Sequence, residues 1–574
     1  MDKVPEKNQM ITNRIKILRE KFKDFEIDGY IIPKNDEFFS EYAENDRLKN
    51  ISKFTGSAGL AIILTNNNYL FVDGRYTIQA KKESSKNFKI IEIHKKLPSS
   101  IIKNCKLGFD PRLFTSSKLK YYFSNKVTLS AIDENLIDKI YKNRLKKTKP
   151  FFSLPKKITG ESHQSKIKKI INFLKLNKTD YLFISAPENL AWLLNIRGHD
   201  NPTSPIPNAR LIVGKDKTLL LFTEKDNAKK IIYEKKISKN QVISFQKFRE
   251  VVNDLKGASF IIDNQSCSVF SEKIIKSKFK IINKKDPIYK LKSIKNSFEI
   301  KHMIEAHKKD GLALTRFIYW IKNINNKDIT EVDAQNKLEK FRKMNNNYMY
   351  PSFNTIAGAG SNGAIVHYRA NKFNTKVINK NDIFLCDSGG QYKYGTTDVT
   401  RTLCFSKPKQ FVKDTFTRVL KGHIAVALTN LNKDNTGKKI DLRARKFLKQ
   451  VGLDYSHGTG HGVGFFLNVH EGPQSISKYN SIKFEKGMIL SNEPGFYKKN
   501  HFGIRIENLL YVKQQKNNLH FENLTLAPID NDLINYALLD KIEQNYLFKY
   551  HLNIYEEFSK HLKKDEKRWL ASLI

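Results

Sequence analysis

The sequence predicts a multidomain α/β protein that becomes α+β in its last third. Three observations predict it. At 574 residues the chain is too long for one hydrophobic core. Its first half runs through one order of elements twice, roughly 150 residues apart. Beyond about residue 291 a capped helix gives way to strands and glycine-rich turns.

In chain order, a basic helix-like stretch leads into Asp28–Pro33 and then Asp36–Phe39. Strand-like Leu60–Leu64 and Tyr69–Val72 follow, then helical Tyr76–Lys82. The order recurs as the basic helix Lys166–Leu176, Thr179–Ile184, Glu188–Leu194, the strands Arg210–Val213 and Thr218–Phe222, and helical Lys225–Ile232. The apolar runs are short and bounded by turn residues, as buried strands are. Two similar α/β domains, 1–150 and 151–290, are expected, joined where prolines and lysines cluster at Pro150–Pro155. A third domain, 291–530, opens with Asn296 and Glu299, spaced as a capping box. Ile300, Met303, Ile304, Leu312 and Phe317 then recur at helical spacing, and strands with glycine turns are expected from Asn381 to about Val512. Residues 531–574 read as a helical extension packed on the third domain.

Composition narrows the partners. No apolar run reaches the roughly 18–20 residues of a membrane span, and the polar start has no secretory stretch. Four cysteines, none closely paired, argue against a disulfide scaffold or a cysteine-rich zinc module. A cytoplasmic protein is expected. The net charge is +44, yet residues 1–290 carry 57 basic and 31 acidic side chains and residues 291–574 carry 45 and 27. A nucleic-acid face concentrates its charge. Here it is spread, and the joint excess of Lys, Asn and Ile, as in Ile321–Lys327, is what an AT-rich coding bias produces, so no nucleic-acid partner is expected.

Chemistry gathers in the third domain. Ile383–Asp387 is an apolar run ending in a carboxylate, and Asp398 follows eleven residues later. A hairpin turning near Tyr392–Lys393 would set the two aspartates about opposite each other. Alone, the pair reads slightly better as exposed strand-end aspartates than as a cation site. Three more segments shift that balance: His457 and His461 among four glycines, Glu493 directly after a strand, and Glu507 inside an apolar alternation where an unpaired charge is costly. Four carboxylates and one imidazole match two divalent cations, a recurrent hydrolytic design. Oxygen-rich ligation without thiolate favours Mn²⁺, with Co²⁺ or Zn²⁺ as alternatives. The glycine spacing breaks the dinucleotide fingerprint at Val463, no phosphate-loop lysine is present, and the histidine pair lacks the glutamate and helix of a zincin.

In order and context, Asp387, Asp398, His461, Glu493 and Glu507 resemble the ligand pattern of the pita-bread metallopeptidases, which include methionine aminopeptidase, prolidase and aminopeptidase P. Asp387–Tyr392, Thr396–Arg401, His457–Gly464, Asn468–Pro473 and Gly503–Asn508 are most similar to the three-domain cytosolic aminopeptidase P group. The resemblance implies two creatinase-like N-terminal α/β domains, a pita-bread catalytic domain, a short helical C-terminal extension and a homodimer. It implies that Asp387, Asp398, His461, Glu493 and Glu507 hold the metals. A metal-bridged hydroxide would attack the bond before a proline at the second position of a peptide, with Glu493 as proton shuttle.

By the same resemblance His367 binds or protonates near the scissile bond, His470 stabilises the oxyanion, and His457 lines the proline side. Arg505 braces the cluster at the substrate site, and Arg75 reaches the substrate from the first domain. Each has a plainer reading: strand or loop histidines for His367 and His470, a turn residue for Arg75. Tyr497 and His501 are too generic to weigh. Ala357–Asn362 departs from the family's loop before His367, as does Arg369 after Tyr368, without removing a ligand. The alternatives are a prolidase restricted to Xaa-Pro dipeptides, and, from another class, a metal-free binding or chaperone-like relative.

Overall fold

The computed structural model describes residues 4–41, 45–124, 126–141, 149–323 and 328–574, with side chains from Gln9 onward. The chain forms two compact units, Met1–Lys156 with Glu161–Ile288, and Lys157–Gly160 with Tyr289–Ile574.

The first unit holds two six-stranded mixed sheets. After helix α1 (Val4–Glu20), strands β1 (Gly29–Pro33), β2 (Leu60–Leu64), β3 (Asn68–Val72), β4 (Lys89–Glu92), β5 (Lys106–Phe109) and β6 (Thr128–Ala131) stand in the order β4-β3-β2-β1-β5-β6. After helix α2 (His163–Leu176), strands β7 (Tyr181–Ile184), β8 (Arg210–Gly214), β9 (Leu219–Phe222), β10 (Val242–Ile243), β11 (Ser259–Ile262) and β12 (Lys280–Asn283) stand as β10-β9-β8-β7-β11-β12. The sequence of parallel and antiparallel pairings is the same in both. The repeat read from the sequence is thus a repeat of topology. Neighbouring strand residues face opposite ways: Ile32, Ile63 and Leu70 join Ile11, Ile15 and Leu18 of α1, while Ile31, Ile62 and Phe71 join Phe109, Leu119 and Phe123. A sheet covered on both faces requires the unbroken apolar runs seen in these strands.

In the second unit the predicted capping box is formed. Asn296 Oδ1 accepts from the Phe298 and Glu299 N–H groups and Glu299 accepts from Asn296 N–H, opening α3 (Ser297–Lys322). Helix α4 (Glu331–Lys343) follows. Strands β13 (Tyr348–Pro351), β14 (Ile356–Ala359), β15 (Ile383–Ser388), β16 (Gly390–Tyr392), β17 (Gly395–Thr396) and β18 (Val399–Cys404) form two three-stranded sheets, β14-β15-β18 and β13-β16-β17.

The region expected as strands and turns also contains two helices, α5 (Gln410–Ala427) and α6 (Gly437–Lys449). Val412, Phe416, Val419, Leu420 and Ile424 form a helical stripe packed on Ile504 and Ile506. Then β19 (Gly460–Gly462), β20 (Glu471–Ile476), β21 (Ile489–Asn492), β24 (Asn508–Gln515) and β25 (Asn518–Asn523) form the sheet β20-β19-β21-β24-β25. A separate hairpin pairs β22 (Gly495–Lys498) with β23 (Phe502–Arg505). Helices α7 (Lys541–Phe558) and α8 (Lys564–Ala571) close the chain, with Leu547, Tyr550, Ile554, Phe558 and Leu570 in the same core as the α5 stripe.

Candidate metal centre

Each acidic candidate sits at or next to the end of a strand. The hairpin does turn at Lys393–Tyr394, since Tyr392 pairs with Gly395. The register corrects the expected opposition of the aspartates: Asp387 faces Thr400, and Asp398 lies just before β18. An offset of two residues keeps both side chains on one face.

The alternating glycines around His461 have a steric cause. A Cβ on Gly460 would lie 1.9 Å from Ser491 O, and one on Gly462 would lie 2.3 Å from Glu471 O. Only glycine lets β19 pass between its two neighbours. His461 N–H donates to Ser491 Oγ (2.9 Å) and its Nδ1 lies 2.9 Å from Gly462 O. With the Nδ1 proton on that carbonyl, Nε2 faces Asp398 Oδ2 (3.4 Å) and Glu493 Oε1 (3.5 Å). A histidine oriented by a backbone carbonyl, with Nε2 among carboxylates, is the usual presentation of a metal ligand.

Ligand atoms of Asp398, His461 and Glu507 lie within 4.8 Å of one another. Glu507 accepts from Thr400 O–H (2.7 Å), and Asp387 Oδ2 accepts from Arg505 (2.6 Å) while its buried Oδ1 has no hydrogen-bond donor. Burial, opposed by Arg505 and reinforced by Asp398, pushes Asp387 up to about 7. Burial and the three other acids hold Glu507 well above the carboxylate range. Burial disfavours charge on His461, but Asp398 and Glu493 outweigh it and lift the imidazole to about 9. Burial would likewise raise Glu493, yet His461, His457, Arg505 and His470 together bring it below its ordinary value. Three buried carboxylates and the partly exposed Glu493 facing one guanidinium, with one oxygen lacking any donor, fit divalent cations by charge and donor chemistry.

The remaining candidates are placed as follows. The His470 ring lies edge-on 4.4 Å from His461. His457 Nε2 accepts from Tyr497 O–H (2.9 Å), Tyr497 accepts from Arg505 (2.6 Å), and burial lowers His457 to about 4. Arg505 is 1% exposed and its guanidinium is taken by Asp387, Thr400 and Tyr497. It therefore stands behind the cluster as a brace. His367, half-buried, lies on a loop whose Gly363 meets Gly503 of β23 so closely that a Cβ on Gly503 would sit 1.9 Å from Gly363 O. Arg75 belongs to the first unit, where Asp73 holds it in a bidentate pair (2.7 and 3.1 Å).

Sequence reasoning passed over Tyr497, which links Arg505 to His457. The available signal was positional: two residues after Gly495, on a strand paired with the Arg505 strand. His501 is an exposed turn residue.

Family models match nearly the whole chain: Creatinase/Prolidase N-terminal domain at residues 14–140 and again at 142–299, Metallopeptidase family M24 at 301–514, and C-terminal region of peptidase_M24 at 517–573. The chain is 37% identical to Xaa-Pro aminopeptidase 1 of Dictyostelium discoideum over 95% of its own length and 93% of the relative's. Its fold is similar to the X-prolyl aminopeptidase of Caenorhabditis elegans, described as a cytosolic enzyme with a di-nuclear active site, at TM-score 0.90 and 28% identity over 98% and 99% of the two chains. The prolidase of Pyrococcus horikoshii is also similar (TM-score 0.52, 26% identity), covering 64% of this chain and 99% of its own.

Proposed function

The chain belongs to metallopeptidase family M24, and from that premise we propose that it is an Xaa-Pro aminopeptidase, releasing the first residue of peptides whose second residue is proline. The carrying observation is the cluster of Asp398, Glu493 and Glu507 about His461, with buried Asp387 coupled to Asp398 and Glu493. These five side chains would hold two divalent ions, Mn²⁺ in preference to Co²⁺ or Zn²⁺. Bound there, the ions would lower the pKa of a water and polarise the scissile carbonyl.

The chain's own groups do the rest. Glu493 takes a proton and returns it to the prolyl nitrogen. His470, beside His461, donates a hydrogen bond to the carbonyl oxygen as charge develops on it. His367 serves the scissile-bond side. His457, kept neutral by burial and held by Tyr497, lines the proline side, and Arg75 would contact the peptide.

The domain divisions at 150, 290 and 530, a homodimer and a cytoplasmic location complete the proposal. Likeness over nearly the full chain to Xaa-Pro aminopeptidases, in sequence and in fold, favours peptides over dipeptides. The test is digestion of Xaa-Pro-Yaa, Xaa-Pro and Xaa-Ala-Yaa peptides with Mn²⁺, alongside metal analysis. Cleavage of the first bond of Xaa-Pro-Yaa is expected. Dipeptide-only cleavage would make it a prolidase, and near-zero bound metal would favour the metal-free binding relative.

A further inference from the structure

Glu331 is the first residue of α4 and is completely buried, yet it takes no part in the metal cluster. Its Oε1 accepts from Ala359 N–H (2.8 Å) and Asn362 Nδ2 (3.0 Å); its Oε2 accepts from Tyr368 O–H (2.8 Å) and Lys376 N–H (2.9 Å). All four donors are neutral. A buried carboxylate without a cation is tolerated when such donors and a helix N-terminus share its charge. The donors bracket one segment: Ala359 stands before it, Lys376 after it, and Asn362 and Tyr368 lie within it. Secondary ties repeat the pattern, with Glu331 N–H donating to Lys376 O (2.9 Å) and Lys376 Nζ to Ser361 Oγ (2.6 Å). Residues 360–375 have little regular structure of their own, so this side chain is a main anchor of their path. Tyr368 directly follows His367.

We propose that Glu331 is a positioning residue that fixes His367 through Tyr368 and Asn362. The proposal rests on the reading of His367 as a residue of the reaction. Glu331 carries a structural demand that a glutamine cannot meet: four donors converge on two acceptor oxygens, and an amide NH₂ would face donors. Losing the anchor lets the loop wander by an ångström or so, a displacement that costs about 10²-fold in rate when it moves a catalytic group.

The test compares kcat and KM on an Xaa-Pro-Yaa peptide for wild type, Glu331→Gln, His367→Ala and the double variant, with metal content and hydrogen exchange of residues 359–376 followed in each. Glu331→Gln is expected to lower kcat by about 10²-fold, with KM within about threefold and metal content unchanged, and to speed exchange in the loop. In the His367→Ala background it should cost less than about threefold more, because the two act as one unit. An equal loss in both backgrounds, or a Glu331→Gln enzyme within twofold of wild type while His367→Ala is slow, overturns the proposal alone. His367→Ala at the wild-type rate overturns the reading of His367, and the proposal with it. Should Glu331→Gln fail to fold, Tyr368→Phe removes a single donor: a kcat loss absent from the His367→Ala background supports the proposal, and none overturns it.

Discussion

Two buried charge clusters of the second unit meet at consecutive residues, His470 and Glu471, and they are built on opposite principles. Glu471 is 6% exposed and pairs with Lys292 (3.0 Å) and Lys295, each 3% exposed. Lys295 is lowered by burial and held up by Glu471, with Glu299 adding to that support. Two ammonium groups thus stand against two carboxylates, and the protein closes its own account. Beside His470, four carboxylates face one arginine, Asp387 Oδ1 has no donor, and Glu507 is driven to hold a proton. Burial is common to both clusters. Only the second leaves a charge deficit, and that deficit marks a cofactor site where burial alone would not.

The largest effect that could break this contrast is on turnover. Asp398→Ala and Glu507→Ala should empty at least one metal position and abolish peptide cleavage, checked by metal analysis and assay. Retention of full metal content would return these acids to a structural role. Next, His470→Ala should keep the metals and lower kcat by about 10²–10³-fold. If metal content falls in parallel, its place as a carbonyl donor is wrong. In the balanced cluster the effect is on folding: Glu471→Gln leaves two buried lysines short of a partner and should cost about 3–5 kcal/mol, by denaturant unfolding, with or without metal.

A sharper and smaller test compares signs. In chelator-treated protein, Glu507→Gln removes the cost of holding a proton that the unfolded chain gives up at neutral pH and keeps an acceptor for Thr400, so stability should rise by about 1–2 kcal/mol. With metal restored the same variant should be the less stable one. A Glu507→Gln loss in both conditions would mean that the two clusters do not differ in kind.

How far the sequence led follows from the same contrast. Asp387 and Glu507 were legible because each interrupts an apolar run, where a charge demands an explanation, and Asp398 and Glu493 through their spacing and strand-end positions. The repeat was legible because strands buried on both faces read as unbroken apolar blocks. Lys292 and Lys295 were not: among 102 basic residues a buried lysine looks like any solvated one, and only tertiary packing separates them. Glu331 reads locally as an acid in the first turn of a helix, and its donors come from 28 to 45 residues downstream. The α5 stripe was present in the spacing and was masked by the glycine-rich segments around it. Asp398's register was misjudged because β16 and β17 leave the hairpin for another sheet, which shifts the pairing.

Histidines extend the comparison to pH. His461, among acids, is raised; His551, hydrogen-bonded to neutral partners, is lowered to about 4 by burial, with the charge of Arg401 adding to the lowering. His551 Nε2 accepts from Ile529 N–H (3.1 Å) and its Nδ1 lies 3.0 Å from Leu573 O, so the neutral ring donates once and accepts once. A second proton would set Nε2–H against the Ile529 N–H. The unfolded chain takes up that proton near pH 6.5 and the folded one near 4, so between these values the unfolded state binds more protons and stability falls on acidification. The contribution is intact above pH 6.5, is reduced by about 2 kcal/mol at pH 5, and is lost through pH 4. His551→Gln keeps one donor and one acceptor without titrating. It should therefore flatten the difference in unfolding free energy between pH 7 and pH 5 by about that amount. An unchanged pH slope in the variant would mean that this ring is hydrated in solution and that its closure by neutral partners does not hold.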